Sequence, residues 1–172
     1  MRRRYTRQRY LDIVTGLRQA RPEITLTTDL IVGFPGETEA DFEQTLEMMR
    51  EVGFASSFSF KYSDRPGVAA EQMEDKVPEE IKSHRLQRLQ SLQEELTGEA
   101  LQAEVGRHVT VLLREPGRQD GGGVIWRGRD PGGRVVNCRT ELDSALIGSY
   151  VGVRVTEAKK HSLFGEVETG PW

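Results

Sequence analysis

Asp29-Leu30-Ile31-Val32-Gly33-Phe34-Pro35-Gly36-Glu37-Thr38-Glu39-Ala40-Asp41-Phe42 reads as a strand, a tight turn and a helix in immediate succession. Thr28, Leu30, Ile31, Val32 and Phe34 surround a single acid, the pattern of a buried parallel strand. Gly33-Phe34-Pro35-Gly36 then stops it. Thr38 followed three residues later by Asp41 is a capping box that starts a helix at once. In α/β sheets ligands sit where strands end and such turns begin. A carboxylate inside a strand is costly to bury without hydrogen bonds, so Asp29 either meets a ligand or is satisfied by a neighbouring backbone amide.

Working outward, residues 7–20 have helical spacing with Tyr10, Ile13, Val14 and Leu17 on one face, and Arg21-Pro22 ends the run. Residues 24–34 form a strand, 38–52 a helix with Phe42, Leu46 and Met49 inward, and 55–62 a second strand. This β/α alternation predicts parallel strands with right-handed crossovers. Two strands and two helices are too few to close a sheet with both faces covered, so further chain is expected to complete it. From Val77-Pro78 a long helix is expected to about Val105, with Ile81, Leu89, Leu92, Leu96, Ala100 and Ala103 as its stripe. Gly98 is expected to break or kink it, and Lys82, Arg85 and Arg88 read as solvated charge on other faces. Beyond it, short alternating runs separated by glycines take over: His108–Glu115, Gly123–Arg129, Arg134–Cys138, Tyr150–Ala158 and Leu163–Glu168. Five short strands at this spacing predict a small barrel.

The chain has 172 residues, 36% hydrophobic and 30% charged, with a net charge of −3. That composition supports one or two domains with a core and argues against an indiscriminate nucleic-acid binder. No apolar run nears the ~20 residues of a membrane span, and the Arg-rich start is followed by no apolar block of a secretory signal. Charge is uneven, however. Residues 1–20 hold six Arg against one Asp, and residues 105–161 hold ten Lys or Arg against six Asp or Glu, a modest bias of the kind a phosphate backbone would meet. The one cysteine, Cys138, excludes an internal disulfide and fits a reducing cytoplasm. It reads as a small buried apolar residue. His84, His108 and His161 have no metal-ligand spacing.

Thr28-Asp29-Leu30-Ile31-Val32-Gly33-Phe34-Pro35-Gly36-Glu37-Thr38 resembles the fifth-strand segment of radical S-adenosylmethionine (SAM) enzymes, most closely the MiaB-type tRNA methylthiotransferases. Four more stretches agree in order and spacing. They are Met1-Arg2-Arg3-Arg4-Tyr5-Thr6, Phe58 to Gly67 (the sixth strand and its loop), Val77 to Leu89 (the connecting helix), and Gly128-Arg129 with Arg134-Val135-Val136-Asn137. The resemblance implies an α/β fold: a partial radical-SAM (TIM-like) barrel with parallel strands over residues 1–76, a connecting helix over 77–105, and an all-β, OB-like TRAM barrel that binds RNA over 106–168. It also implies SAM and two 4Fe-4S clusters in the full-length family. The cluster cysteines would lie in a missing amino-terminal part, so this chain is expected to be a carboxy-terminal piece, inactive alone.

The resemblance further implies roles for particular residues. Arg3 would meet the SAM carboxylate with its guanidinium fork. Asp29 would accept from the ribose hydroxyls, and Gly33, Pro35 and Gly36 would form the turn on the adenine side. Ser63, Arg65 and Gly67 would lie at the barrel rim facing substrate. Arg127, Arg129 and Arg134, near Trp126 and Asn137, would meet RNA, although Trp126 reads equally as core. The expected partner is tRNA at its anticodon stem-loop. The family's Gly-Thr-Pro-Ala-Ala reads Gly67-Val68-Ala69-Ala70-Glu71 here, and its Phe-Asp reads Phe54-Ala55, changes that bear on loop rigidity. Two other readings compete: a methylthiotransferase acting on a ribosomal-protein aspartate, and a non-catalytic RNA-binding module.

Overall fold

Thr6 opens the first helix, α1 (Arg7–Ala20), by accepting the Arg9 N–H on its hydroxyl at 3.2 Å. The computed structural model describes residues 4–120, 123–140 and 146–172. After α1 come β1 (Thr27–Val32), α2 (Glu39–Val52), β2 (Ser56–Lys61), a 3-10 turn at Ala69–Gln72 and α3 (Glu79–Gln102). Five strands follow: β3 (His108–Asp120), β4 (Gly123–Arg129), β5 (Val135–Thr140), β6 (Tyr150–Ala158) and β7 (Leu163–Thr169). The chain divides into two compact units, residues 1–96 and 97–172. Among the described residues no helix is long and apolar enough to cross a membrane.

In the first unit β1 and β2 run parallel, with Asp29 opposite Phe58 and Ile31 opposite Phe60. The capping box forms as the sequence predicts: Asp41 N–H donates to the Thr38 hydroxyl, and the Asp41 carboxylate accepts the Thr38 N–H. The core joins Val14 of α1, Val32 of β1, Phe42, Leu46, Met49 and Val52 of α2, Phe54, and Leu89 and Leu92 of α3. The helices therefore cover one face of the sheet. β1 is consequently not buried on both sides: Thr28, Leu30 and Val32 face the helices, whereas Thr27, Asp29 and Ile31 are exposed.

The helix stripes also differ from expectation. In α1, Tyr10, Leu11 and Val14 pack inward, while Ile13 and Leu17 are exposed. A helix lying on a neighbour buries a narrow stripe, and periodicity alone does not say which of two adjacent stripes is chosen. α3 runs through Gly98 without a break, because a glycine costs a helix only about 1 kcal/mol relative to alanine. Past that glycine its inward residue is Leu101; Ile81, Ala100 and Ala103 are exposed.

In the second unit the strands close in the order β3-β4-β5-β7-β6. Every pairing is antiparallel except β5 with β7. Alternate residues fill the interior, among them Val111, Leu113, Trp126, Val136, Cys138, Val153, Val155 and Leu163. Pro116, which has no N–H to give a ladder, lies between two register shifts in β3. Gly128 lets strands approach closely: a Cβ there would lie 2.4 Å from the Leu112 carbonyl oxygen.

Candidate functional site

Two places concentrate chemistry, one in each unit. In the first, β1 ends in a turn whose shape is set by Phe34-Pro35-Gly36-Glu37. Glu37 N–H donates to the Phe34 carbonyl at 2.9 Å, and Gly36 has φ +83°. Proline second and a positive-φ glycine third make a type II turn. Gly33, at φ +74°, donates its N–H to Glu37 Oε2 at 2.7 Å, and Gly36 N–H reaches the Asp75 carbonyl at 2.8 Å.

Three basic residues of α3 close on this turn, correcting the expectation that they are solvated. Arg85, with only 5% of its side chain exposed, donates to Glu37 Oε2 at 2.8 Å, to the Glu37 carbonyl at 3.1 Å and to Glu39 Oε2 at 3.1 Å. Arg88 meets Glu39 at 2.6 Å and also pairs with Glu43, and both guanidiniums lie over the Phe42 ring. The Arg88 hydrogen bond, more than the Arg85 contacts, holds the Glu39 carboxyl below its ordinary range. Lys82 donates to the Tyr62 carbonyl at 3.2 Å and lays its stem against Gly33.

Beside this turn the uncovered face of the sheet presents Asp29 among Ile31, Phe58 and Phe60, the two phenylalanines 73% and 54% exposed. Asp29 is thus not a buried acid, and its carboxylate is open to a ligand. Arg3 lies outside the described residues. In the loop after β2, Ser63, Arg65 and Gly67 are exposed. Asp64 accepts from Lys76 and from the Tyr62 hydroxyl, and the Lys76 bond leads in lowering its pKa. Gly67 N–H donates to Glu71 Oε2 at 2.9 Å, and Ala70 is buried. Glu71 therefore tethers this loop by a side-chain cap.

In the second unit a groove of about 630 Å3 opens between Arg127, Asn137, Arg139, Lys159 and Phe164, with Glu115, Glu157 and Trp126 also in its lining. The Arg139 guanidinium lies 6.0 Å from the centre of the Phe164 ring. Arg127 is 3.6 Å from Glu115, and Lys159 pairs with Glu157. Trp126 is fully buried in the barrel core, so it resolves to the core alternative. Arg127 and Asn137 are brought together here, but Arg129 and Arg134 are at the β4–β5 turn. Arg129 donates to the Gly133 carbonyl, and Arg134 to Asp130 at 2.6 Å and Glu104 at 2.5 Å. Sequence reading missed Arg139, Lys159 and Phe164, which come from three strand ends or turns. The only signal was Phe164 standing in the outward phase of β7.

Cys138 is buried in the barrel, and desolvation pushes its thiol up to about 12. Among the described residues no three His, Cys, Asp or Glu side chains are grouped to hold a metal. One buried neutral thiol does not fit a cluster that needs three thiolates. The open sheet face is different: an exposed carboxylate among apolar side chains, next to a glycine turn, fits a ribose and an adenine.

A family model described as TRAM domain matches residues 102–167. A tRNA-2-methylthio-N(6)-dimethylallyladenosine synthase of Nitratidesulfovibrio vulgaris is 51% identical over 100% of this chain and 38% of its own length. The synthase of the same name from Oleidesulfovibrio alaskensis is 48% identical over 96% of the chain and 39% of its own length. Along its whole length the chain is similar to synthases of this name, and residues 102–167 match the TRAM domain. A third synthase of this name, from Streptomyces coelicolor, is 43% identical over 96% of the chain and 33% of its own length. The chain thus spans 33–39% of the length of these curated relatives. The TRAM match runs from the end of α3 through β7, the closed barrel with its groove.

Proposed function

We propose that this chain supplies a SAM-facing sheet edge and the tRNA-gripping barrel of an enzyme that adds a methylthio group to carbon 2 of an isopentenyl-modified adenosine beside the anticodon. The observation that carries the reading is identity near one half along the entire chain to synthases named for that product. Those names favour the tRNA branch over the ribosomal-protein one. When bound to its cluster, SAM supplies the radical chemistry that side-chain acids and bases cannot, and the methyl group as well.

The roles of this chain's residues follow. The parallel β1–β2 pair is part of a radical-SAM barrel whose inner face is the exposed one. Asp29 accepts from the ribose, and Gly33, Pro35 and Gly36 shape the adenine side, with Arg3 near the amino-acid end of SAM. Ser63, Arg65 and Gly67 line the rim that the target nucleotide approaches. In the barrel, Arg127, Arg139 and Lys159 meet phosphates of the anticodon stem-loop and Phe164 offers a ring to an unpaired base. Arg129 and Arg134 stiffen the neighbouring turn as well as adding positive charge. The cluster ligands belong to another part of the protein, so this chain alone is inactive.

Binding of tRNA to the whole chain at a series of salt concentrations tests the barrel's role. Three phosphate contacts give a slope of log K against log salt of about −2 to −3. Charge reversal at Arg127 and Lys159 makes the slope shallower by about two phosphates' worth. Absent binding, or binding insensitive to salt, contradicts the proposal.

A further inference from the structure

Arg85 is the most buried cation among the described residues of the first unit, and it is remote in sequence from every residue there assigned to a ligand. Its side chain takes three acceptors, all from the segment that follows the strand-end turn. A buried ion pair roughly breaks even in stability against apolar packing, so its consequence is mainly geometric. The geometry here is specific. Glu37 Oε2 receives Arg85 Nη1 at 2.8 Å and Gly33 N–H at 2.7 Å, so one oxygen ties the helix to the first residue of the turn. Gly33 and Pro35 are buried and Phe34 is half-buried, leaving the turn little freedom once that oxygen is fixed.

We propose that Arg85 is a positioning residue for SAM: acting through the Glu37 carboxylate, it holds the Gly33–Gly36 turn in the shape that receives the adenosine. This rests on the cofactor reading above and deepens it. Without the guanidinium, the largely buried Glu37 carboxylate loses its cation and keeps only the Gly33 N–H; it then swings towards water and releases that N–H. Lysine keeps the charge but not the fork that reaches Glu37 and Glu39 together. The helix that carries the clamp therefore has a task at the cofactor side beyond connecting two units.

The test compares Arg85→Met, Arg85→Lys and Glu37→Gln. In the intact, cluster-loaded synthase, SAM and tRNA affinities are measured separately by equilibrium binding. In this chain, amide exchange is followed at Gly33. Arg85→Met is expected to weaken SAM binding by about tenfold or more, the scale of one lost charge-assisted hydrogen bond. It also speeds Gly33 exchange and leaves tRNA affinity unchanged, with Arg85→Lys intermediate. Should Arg85→Met fail to fold, Glu37→Gln, which keeps an acceptor for Gly33 but removes the ion pair, carries the test with a severalfold loss. Unchanged SAM affinity in a folded variant, or an equal loss of SAM and tRNA binding, overturns the proposal. A wild-type synthase that binds no SAM instead overturns the cofactor reading beneath it.

Discussion

Replacing Gly33 by alanine separates two costs that the strand-end turn imposes. The first is conformational: at φ +74° a Cβ costs about 1–2 kcal/mol. The second is steric. The new Cβ would lie 2.2 Å from Lys82 Cγ and 2.7 Å from Cδ. Lys82 is not free to swing aside, because its Nζ is held by the Tyr62 carbonyl and Glu79. Forcing an extra carbon into such a contact costs about 1–3 kcal/mol, so Gly33→Ala should destabilise the first unit by about 2–5 kcal/mol in total. Gly36→Ala is the internal control. Gly36 has φ +83° but nothing lies within 4 Å of its Cβ position, so only the conformational cost of about 1–2 kcal/mol applies. Urea unfolding followed by the far-UV helical signal reads these values. A double-mutant cycle with Lys82→Ala should recover the steric part, about 1–3 kcal/mol, as coupling. Equal losses for Gly33→Ala and Gly36→Ala, or no coupling to Lys82, would refute the packing of α3 on this turn.

Gly98→Ala should stabilise α3 by about 0.5–1 kcal/mol, since the helix passes through it and its Cβ would meet nothing within 4 Å; a loss of stability on denaturant titration would indicate a break there. Asp41 has its pKa lowered, chiefly by the Thr38 hydroxyl. A carboxyl depressed in the folded state adds stability above its unfolded value, near 3.8, and loses it as pH falls through the folded one. Thr38→Ala should cost about 1 kcal/mol through loss of the N-cap, and it should flatten the acid limb of a stability–pH curve. An unchanged acid limb contradicts that assignment. The Cys138 thiol, at about 12 and buried, should resist alkylation at pH 8 until the barrel is unfolded by denaturant, whereas rapid native labelling would contradict its place in the core.

The strand–turn–helix at residues 29–42 was legible because each part has its own local signal: an apolar run, Pro-Gly, and a capping pair three residues apart, although the run did not show that one face of the strand is open. The barrel was legible for a similar reason, since alternating runs and glycines recur along the chain. Arg85, Arg88 and Lys82 were misread because their partners, Glu37, Glu39, Glu43 and Tyr62, are remote in sequence and only folding brings them together. Ile13 and Leu17 fit a helical stripe as well as Leu11 does; which stripe is buried depends on where α2 and α3 lie. The groove failed to show for a third reason. Its cations and ring come from β4, β5, β7 and the segment after β6, so no single window of sequence contains it. Arg134 was singled out as an RNA contact, yet it is tied to Asp130 and to Glu104, an acid in the turn after α3.

The most direct test is the nucleoside content of tRNA from cells that lack the gene encoding this chain. Digestion and mass analysis should show the 2-methylthio derivative of isopentenyladenosine gone and the unthiolated nucleoside accumulated, with both reversed when the gene is returned. An undiminished level of the methylthio nucleoside in the deletion strain would contradict the proposed function.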